Sequence, residues 1–255
     1  MNQVDLNCDL GELEGEQGLQ QDAVILQFIS SANVACGAHA GSVHRMRQLA
    51  ILCRDGDVAF GAHPGYPDRA RFGREPIEMT PQQIRDMVRD QVRLAAKIAD
   101  EEGIVLTHVK PHGALYNLAA GNADVADAVS QAVKDACPQS LLIGLSGSQL
   151  IRSGDSAGLM TRNEVFADRH YHSDGSLVSR QNPVAVLRDP EQIAHRAVRM
   201  IREQSVMSVE GVPVSILAET ICVHGDAPHA VEIIQRLRRE LELAEIQVRK
   251  VDITL

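Results

Sequence analysis

His108-Val109-Lys110-Pro111-His112-Gly113 closes the apolar run Ile104-Val105-Leu106-Thr107. In an extended chain, alternation sends His108, Lys110 and His112 to one face and Thr107 and Val109 to the other. Pro111 disfavours a helical conformation at Lys110 and removes a ladder donor, so the segment reads as a strand that is ending and opening into a loop. Three ionisable groups on one face at a strand end mark a place where chemistry is expected.

The same order of strand, polar loop and helix recurs on both sides of this stretch. Upstream, residues 4–9 read as a first strand with Asp5, Asn7 and Asp9 on one face and Leu6, Cys8 and Leu10 around it on the other. Residues 13–21 are polar and Gly-bearing and read as a loop, and 22–28 as a short helix. A second strand over 31–36 runs into Gly37-Ala38-His39-Ala40-Gly41, after which Ser42 caps a helix through 52. A third over 58–62 ends at His63-Pro64-Gly65-Tyr66-Pro67, followed by the basic loop 69–74. Thr80-Pro81-Gln82-Gln83 then combines an N-cap, a first-turn proline and a capping-box glutamine.

Downstream, 124–136 reads as an alanine-rich helix and 141–145 as a buried strand ending at Ser146-Gly147-Ser148. A sixth strand over 159–166 ends at Ala167-Asp168-Arg169-His170-Tyr171, and the polar loop 172–182 follows. Asp189-Pro190-Glu191-Gln192 starts another helix with a cap, a proline and a glutamine. A seventh strand over 220–223 ends at His224-Gly225-Asp226, Pro228 opens the last long helix, and 248–253 is a terminal strand or tail.

Seven such units without a Pro/Gly/Ser-rich linker predict a single α/β domain over 1–255 built on a parallel sheet. Polar side chains end nearly every strand instead of clustering at one switch point, which favours a closed β/α barrel over an open doubly wound sheet. Asn7, Asp9, Asn33, His39, His63, Lys110, His112, Ser146, Ser148, Glu164, Asp168, His224 and Asp226 would then meet at one mouth. Burying that many ionisable groups is costly unless they pair or do work. Lys110 has the strongest individual case: inside a strand it either pairs with Asp9 or Asp226 or meets an anionic ligand. Arg69, Arg71 and Arg74 form either a solvated loop face or a phosphate contact.

Composition narrows the function classes. The chain has 255 residues, an apolar fraction of 44% and a formal charge of −9, with aromatics at only 3%. That is ample for a core, and it argues against a nucleic-acid surface, so a small molecule or a protein partner is expected. No apolar run approaches the roughly 18 to 20 residues that span a bilayer, and the N-terminus lacks a basic-then-apolar secretory pattern, so no membrane contact and a cytoplasmic location are expected. Five cysteines, Cys8, Cys36, Cys53, Cys137 and Cys222, are an odd number with no C-x-x-C pair, and they read as small buried hydrophobes. No G-x-x-x-x-G-K-[ST], G-x-G-x-x-G or G-x-S-x-G stretch is present. Asp9, His39 and His63 are candidates for a metal in the mouth, without the support of a tight spacing such as H-E-x-x-H.

Taken together, Asp5-Leu6-Asn7-Cys8-Asp9-Leu10-Gly11-Glu12, Ser31-Ala32-Asn33-Val34-Ala35-Cys36-Gly37, Gly61-Ala62-His63-Pro64-Gly65-Tyr66-Pro67-Asp68, Val109-Lys110-Pro111-His112-Gly113-Ala114-Leu115-Tyr116-Asn117, Glu164-Val165-Phe166-Ala167-Asp168-Arg169 and His224-Gly225-Asp226 resemble the LamB/YcsF family over almost the whole chain. The resemblance implies a distorted seven-stranded TIM-like barrel similar to glycoside hydrolases and polysaccharide deacetylases. It also implies ATP-dependent 5-oxoprolinase activity, the ring opening of 5-oxo-L-proline to L-glutamate, in a complex with B and C subunits. ATP with Mg²⁺ is expected, without a tightly bound organic cofactor; a transition-metal requirement and a homo-oligomer are left open. Two departures stand out: Ala38 and Ser42 where the family usually reads C-G-F-H-A-G-D, and Arg71-Phe72-Gly73-Arg74-Glu75 where it commonly reads G-F-G-R-R.

With the family pattern, the strand-end placement assigns catalysis to Asp9, His63, Lys110 and His112. Binding of substrate, nucleotide or Mg²⁺ falls to Asn7, Asn33, His39, Glu164, Arg169, His224 and Asp226. Two rival classes are a metal-dependent, deacetylase-like hydrolase of a small amide or sugar, and a non-catalytic ligand-binding subunit.

Overall fold

A computed structural model describes residues 3–224 and 229–251. In chain order the elements are β1 (Gln3–Leu10), α1 (Gly15–Ile25), β2 (Ser31–Ala35), α2 (Val43–Asp55), β3 (Ala59–His63), α3 (Pro81–Glu101), β4 (Leu106–Val109), α4 (Gly113–Gly121) and α5 (Ala123–Ala136). They continue as β5 (Leu141–Leu145), α6 (Gln149–Ala157), β6 (Thr161–Phe166), α7 (Pro190–Glu203), β7 (Ser205–Met207), β8 (Pro213–Ser215), β9 (Thr220–His224), α8 (Ala230–Leu243) and β10 (Gln247–Val248).

The strands β1-β2-β3-β4-β5-β6-β9 pair in parallel in that order, and β9 pairs back onto β1, so the seven-stranded sheet closes into a barrel. The last strand, β10, pairs with the start of β1, with Gln3 opposite Gln247 and Val4 opposite Val248. Helices join the strands, and the outward strand residues Leu6, Cys8, Leu10, Val34, Phe60 and Val109 form one apolar core with them. Helix ends that the sequence predicts are closed as expected: Thr80 and Gln83 form a reciprocal capping box on α3, and Ser42 and Asp189 cap α2 and α7; Ser148 also caps α6. Ser42 thus fills the N-cap position where the family carries an acid, and either residue type can accept that hydrogen bond.

Inside the barrel polar side chains replace much of the usual apolar packing, with Leu141, Ile143 and Leu145 of β5 keeping an apolar side. Asp5, Asn7 and Asp9 of β1 point inward, where each must find partners because a buried polar group without a hydrogen bond costs roughly 1–3 kcal/mol. Ser30, Ser31 and Thr220 donate to the Asp5 carboxylate at 2.7, 2.6 and 2.5 Å. Asn33 donates to Asn7 Oδ1 at 2.7 Å and to Asp9 Oδ1 at 2.8 Å, and His108 reaches across the barrel to Asn33 Oδ1 at 2.9 Å. That crossing depends on Gly61, since a Cβ there would lie 2.0 Å from His108 Nε2. The strand register shifts between Phe60 and Gly61 at the same place.

Several expectations are corrected. The segment 13–21 is not a loop: α1 begins at Gly15 and ends at Ile25, short of the predicted end at 28. Its buried residues are Gly18, Asp22 and Ile25, so the inner face lacks the apolar stripe that announces a helix. α4 begins at Gly113, directly after the Lys110–His112 stretch that follows β4, and β7 with β8 forms a short antiparallel hairpin absent from the sequence reading. The predicted terminal strand reduces to β10, and residues 252–255 lie outside the described residues.

Gly61→Ala is expected to lower unfolding free energy by about 3 kcal/mol, because the new methyl group collides with a buried ring fixed on both sides. Urea denaturation measures this, and combining it with His108→Ala should recover part of the loss if the ring is the obstacle.

Candidate active site

The floor of the barrel mouth is built around Lys110. Its ammonium is buried and donates to Asp9 Oδ1 at 2.9 Å and to Cys222 Sγ at 2.9 Å, with Glu164 Oε1 at 3.0 Å and Asn7 Oδ1 at 3.4 Å. Burial by itself would favour losing the proton, but the Asp9 carboxylate, the Cys222 sulfur and the Glu164 carboxylate outweigh it, and the pKa stays above that of a free lysine. Burial pushes the Cys222 thiol up as well, which keeps it protonated. Asn7 donates to Glu164 Oε1 at 3.0 Å and to Thr220 Oγ1 at 2.6 Å, while Asn33 holds Asp9, so both ion partners of Lys110 are themselves held. His108, one pair of residues deeper, bonds Thr107 and Asn33, and through Asn33 it fixes Asp9.

Above this floor stand three histidines and a carboxylate. Glu12 Oε1 lies 3.1 Å from His39 Nε2, 3.1 Å from His112 Nδ1 and 3.8 Å from His63 Nε2. His63 Nε2 is also 3.0 Å from His112 Nδ1 and 3.4 Å from Asp9 Oδ2. The opposite ring nitrogens are committed: His63 Nδ1 donates to the Lys110 carbonyl at 2.7 Å and His112 Nε2 to the Phe72 carbonyl at 2.8 Å. His39 stacks face to face on His112 with ring centres 3.7 Å apart. A Cβ at Gly73 would come within 2.9 Å of His39 Cβ and 3.1 Å of the His112 ring, so the basic loop packs its backbone on this pair.

Electrostatics separates the members. Burial pushes the His39 pKa down to about 4, against the pull of Glu12. For His63 burial acts in the same direction, but the charges of Asp9 and Glu12 prevail and its pKa is raised. Glu12 is held below the usual carboxylate range: burial opposes its charge, while hydrogen bonds from His112 and His39 and the His112 charge overcome that.

A cavity of about 880 Å³ opens over this floor, lined by Asp9, Glu12, His63, Lys110 and His112 at its base. Its walls carry Arg71, Arg74, Arg152, Arg169 and Arg180, together with the Ser146-Gly147-Ser148 turn and the start of α4. Arg69 turns away, donating to the carbonyls of Gly37 and Gly41. Arg169 donates to the Val178 carbonyl, and burial lowers its pKa to about 10, which leaves it charged at neutral pH.

The four residues assigned to catalysis, Asp9, His63, Lys110 and His112, therefore share one cavity floor, and Arg169 lies on the wall. Asn7, Asn33 and Glu164 are fully buried below it, with amide and carboxylate groups bonded to one another and to the Lys110 pair. Their surroundings fit positioning of Asp9 and Lys110 in place of direct contact with a ligand. His39 sits behind Glu12 and does not line the cavity. His224 falls opposite Asp9 in the strand register; its side chain and Asp226 lie outside the described residues. Glu12 is not among the candidates that the sequence yields. It follows Gly11, whose φ of +74° turns the chain over the mouth, so strand alternation no longer predicts its direction.

Comparison with known proteins agrees with this architecture. The LamB/YcsF family model matches residues 4–254. A protein of Bacillus licheniformis, named as the A subunit of 5-oxoprolinase, is 45% identical over 249 residues, covering 98% of each chain. The crystal structure of a lactam utilization protein from Thermus thermophilus superposes with a TM-score of 0.89 at 37% identity, over 98% of this chain and 100% of that one. A deacetylase structure, T48 with substrate, shares the fold alone, with a TM-score of 0.51 at 13% identity over 99% and 89% of the chains.

The buried rings carry a pH consequence. Burial and then the neighbouring Lys110 charge push the His108 pKa down to about 3, whereas an unfolded histidine titrates near 6.5. Between those values the unfolded chain binds one more proton at this residue, so stability falls as pH is lowered through that window, by up to about 1.4 kcal/mol per pH unit. His108→Gln should flatten the dependence of unfolding free energy on pH by about that slope, measured by denaturant titrations from pH 7 to 4.

Proposed function

The chain belongs to the LamB/YcsF family, and from that premise we propose that it serves as the A subunit of an ATP-dependent 5-oxoprolinase. It would hydrolyse the lactam of 5-oxo-L-proline to L-glutamate, with ATP cleaved to ADP and phosphate, in a complex with B and C subunits. The observation that supports this most directly is a buried Lys110–Asp9 pair at the base of a cavity walled by five arginines. Cationic walls suit a ligand set that is anionic throughout: a carboxylate substrate, a polyphosphate and a dicarboxylate product.

A lactam is a poor electrophile and water a poor nucleophile, so both need activation. Transfer of the ATP γ-phosphoryl group to the lactam oxygen makes the ring carbon electrophilic. Water adds to that carbon as Asp9, aided by His63 or His112, takes its proton. The ring nitrogen then leaves, accepting that proton, and opens the ring to an acyl phosphate; a second water releases phosphate and leaves glutamate. Lys110, once released from Asp9, and the N-terminus of α4 would stabilise the oxygen on which negative charge builds. Arg169 and the other wall arginines hold the substrate carboxylate and the phosphates. His224 and Asp226 retain their proposed binding roles. The Mg²⁺ that accompanies ATP takes oxygen ligands, which phosphate and water supply.

A second reading, a deacetylase-like hydrolase working without ATP, draws on the imidazole and carboxylate cluster at the cavity base. One assay separates the possibilities: glutamate release from 5-oxoproline, with and without ATP and the partner subunits. Lys110→Met and Asp9→Asn are each expected to cut lactam-dependent ATP hydrolysis in the reconstituted complex by at least about 100-fold. Near-normal turnover in either would overturn the assigned roles, and glutamate release independent of ATP would favour the second reading.

A further inference from the structure

Glu12 Oε1, His63 Nε2 and His112 Nδ1 converge at the cavity base. The other nitrogen of each of these rings gives its hydrogen to a backbone carbonyl, Lys110 O for His63 and Phe72 O for His112. His63 Nε2 and His112 Nδ1 therefore face each other at 3.0 Å, with Glu12 Oε1 3.1 Å from His112 Nδ1 and 3.8 Å from His63 Nε2. Three ligand-type atoms so disposed can surround a single cation. Bonds of about 2.0–2.1 Å to a tetrahedral ion place neighbouring ligand atoms about 3.3–3.4 Å apart, in the middle of the observed range.

We propose that Glu12, His63 and His112 form a site for one divalent transition-metal ion of the zinc and cobalt class. Ring orientation decides the ligand set. His63 and His112 are mutually perpendicular at 89°, so a single point can lie in both ring planes, as in-plane lone pairs require. His39 lies parallel to His112 within 4° and face to face with it, so no ion in the plane of one ring can lie in the plane of the other. His39 is therefore a supporting residue: its Nε2 donates to Glu12, the outer contact that fixes a carboxylate ligand. The same three ligands line the cavity and His39 does not, which leaves the remaining coordination positions facing the cavity and the Asp9 carboxylate. Two imidazoles in the set select against Mg²⁺ and Ca²⁺, which prefer oxygen alone. Three protein ligands with an open position are the arrangement of catalytic ions, which polarise a carbonyl or phosphoryl oxygen or activate water. The site goes beyond the proposed function and stands or falls without it.

The test uses the full-length chain, stripped with a chelator and titrated with Co²⁺ while visible d–d absorption is followed. One equivalent should saturate the signal. His63→Gln and His112→Gln should each weaken binding at least about 100-fold, and Glu12→Gln at least about tenfold. His39→Gln should keep the spectrum with affinity lowered about tenfold. Absence of saturable absorption in the wild-type chain, or unchanged binding in the His63 and His112 variants, overturns the site; a loss in His39→Gln equal to theirs overturns the three-ligand assignment. Where a variant fails to fold, wild-type crystals soaked in Co²⁺ decide: an anomalous peak within bonding distance of the three atoms supports the site, and its absence there refutes it. Because the readout is binding, Co²⁺ uptake with no ATP-dependent glutamate release would count against the proposed function alone.

Discussion

One ammonium group in the centre of a barrel constrains everything around it. A lysine that cannot reach bulk water must keep its charge balanced within hydrogen-bonding distance, and Lys110 does so with Asp9 and Glu164, while the Cys222 sulfur accepts a further hydrogen bond. Each of those partners becomes a buried polar group with its own requirement. Asn33 serves Asp9, Asn7 serves Glu164, and Thr220 serves both Asn7 and Asp5. The polar interior follows from that chain of obligations, and it is why the barrel core carries serine, asparagine and histidine where aliphatic layers would otherwise pack. The apolar core is displaced outward, between strands and helices.

This arrangement couples fold to site. His108 holds Asn33, Asn33 holds Asp9, and Asp9 holds Lys110, so a fault deep in the barrel reaches the cavity floor through three hydrogen bonds. The backbone takes part as well. The Lys110 carbonyl accepts from His63, so the residue that supplies the buried cation also sets the tautomer of its neighbour. The basic loop does the same for His112 through the Phe72 carbonyl, with Phe72 itself in the left-handed region at φ 57°. Loop and strand therefore fix the two rings from opposite sides.

Much of this is legible in the sequence because a strand has a period of two. Alternation alone places Asp5, Asn7 and Asp9 on one face, and His108, Lys110 and His112 on one face, and the structure brings both sets together. Alternation gives a direction but no depth. It does not say that Asn7, Asn33 and Glu164 lie beneath the cavity while Asp9 and Lys110 form its floor. It also ends where the strand ends: Glu12 comes after a glycine turn, and its convergence with three histidines from separate segments is a tertiary fact. The first part of α1 escapes for a different reason, since its buried positions are Gly18 and Asp22, a carboxylate held by Gly11 and Arg45. The hairpin strands are three residues each, too short for a periodic signal.

The charge of the floor bears on how the proposed reaction would run. Lys110 is matched by two carboxylates, so its donors are all engaged in the resting site and none is turned toward a ligand. The field that draws an anion in comes from the wall arginines instead, acting over short range in a chain whose formal charge is −9. In the proposed reaction Asp9 would lose its charge on taking a proton from water, leaving Lys110 balanced by Glu164 alone. The ammonium would then be freed to face the oxygen on which negative charge develops. Proton uptake by Asp9 and electrostatic assistance by Lys110 would thus be one event, and the buried pair would supply its stabilisation to the transition state in preference to the bound substrate.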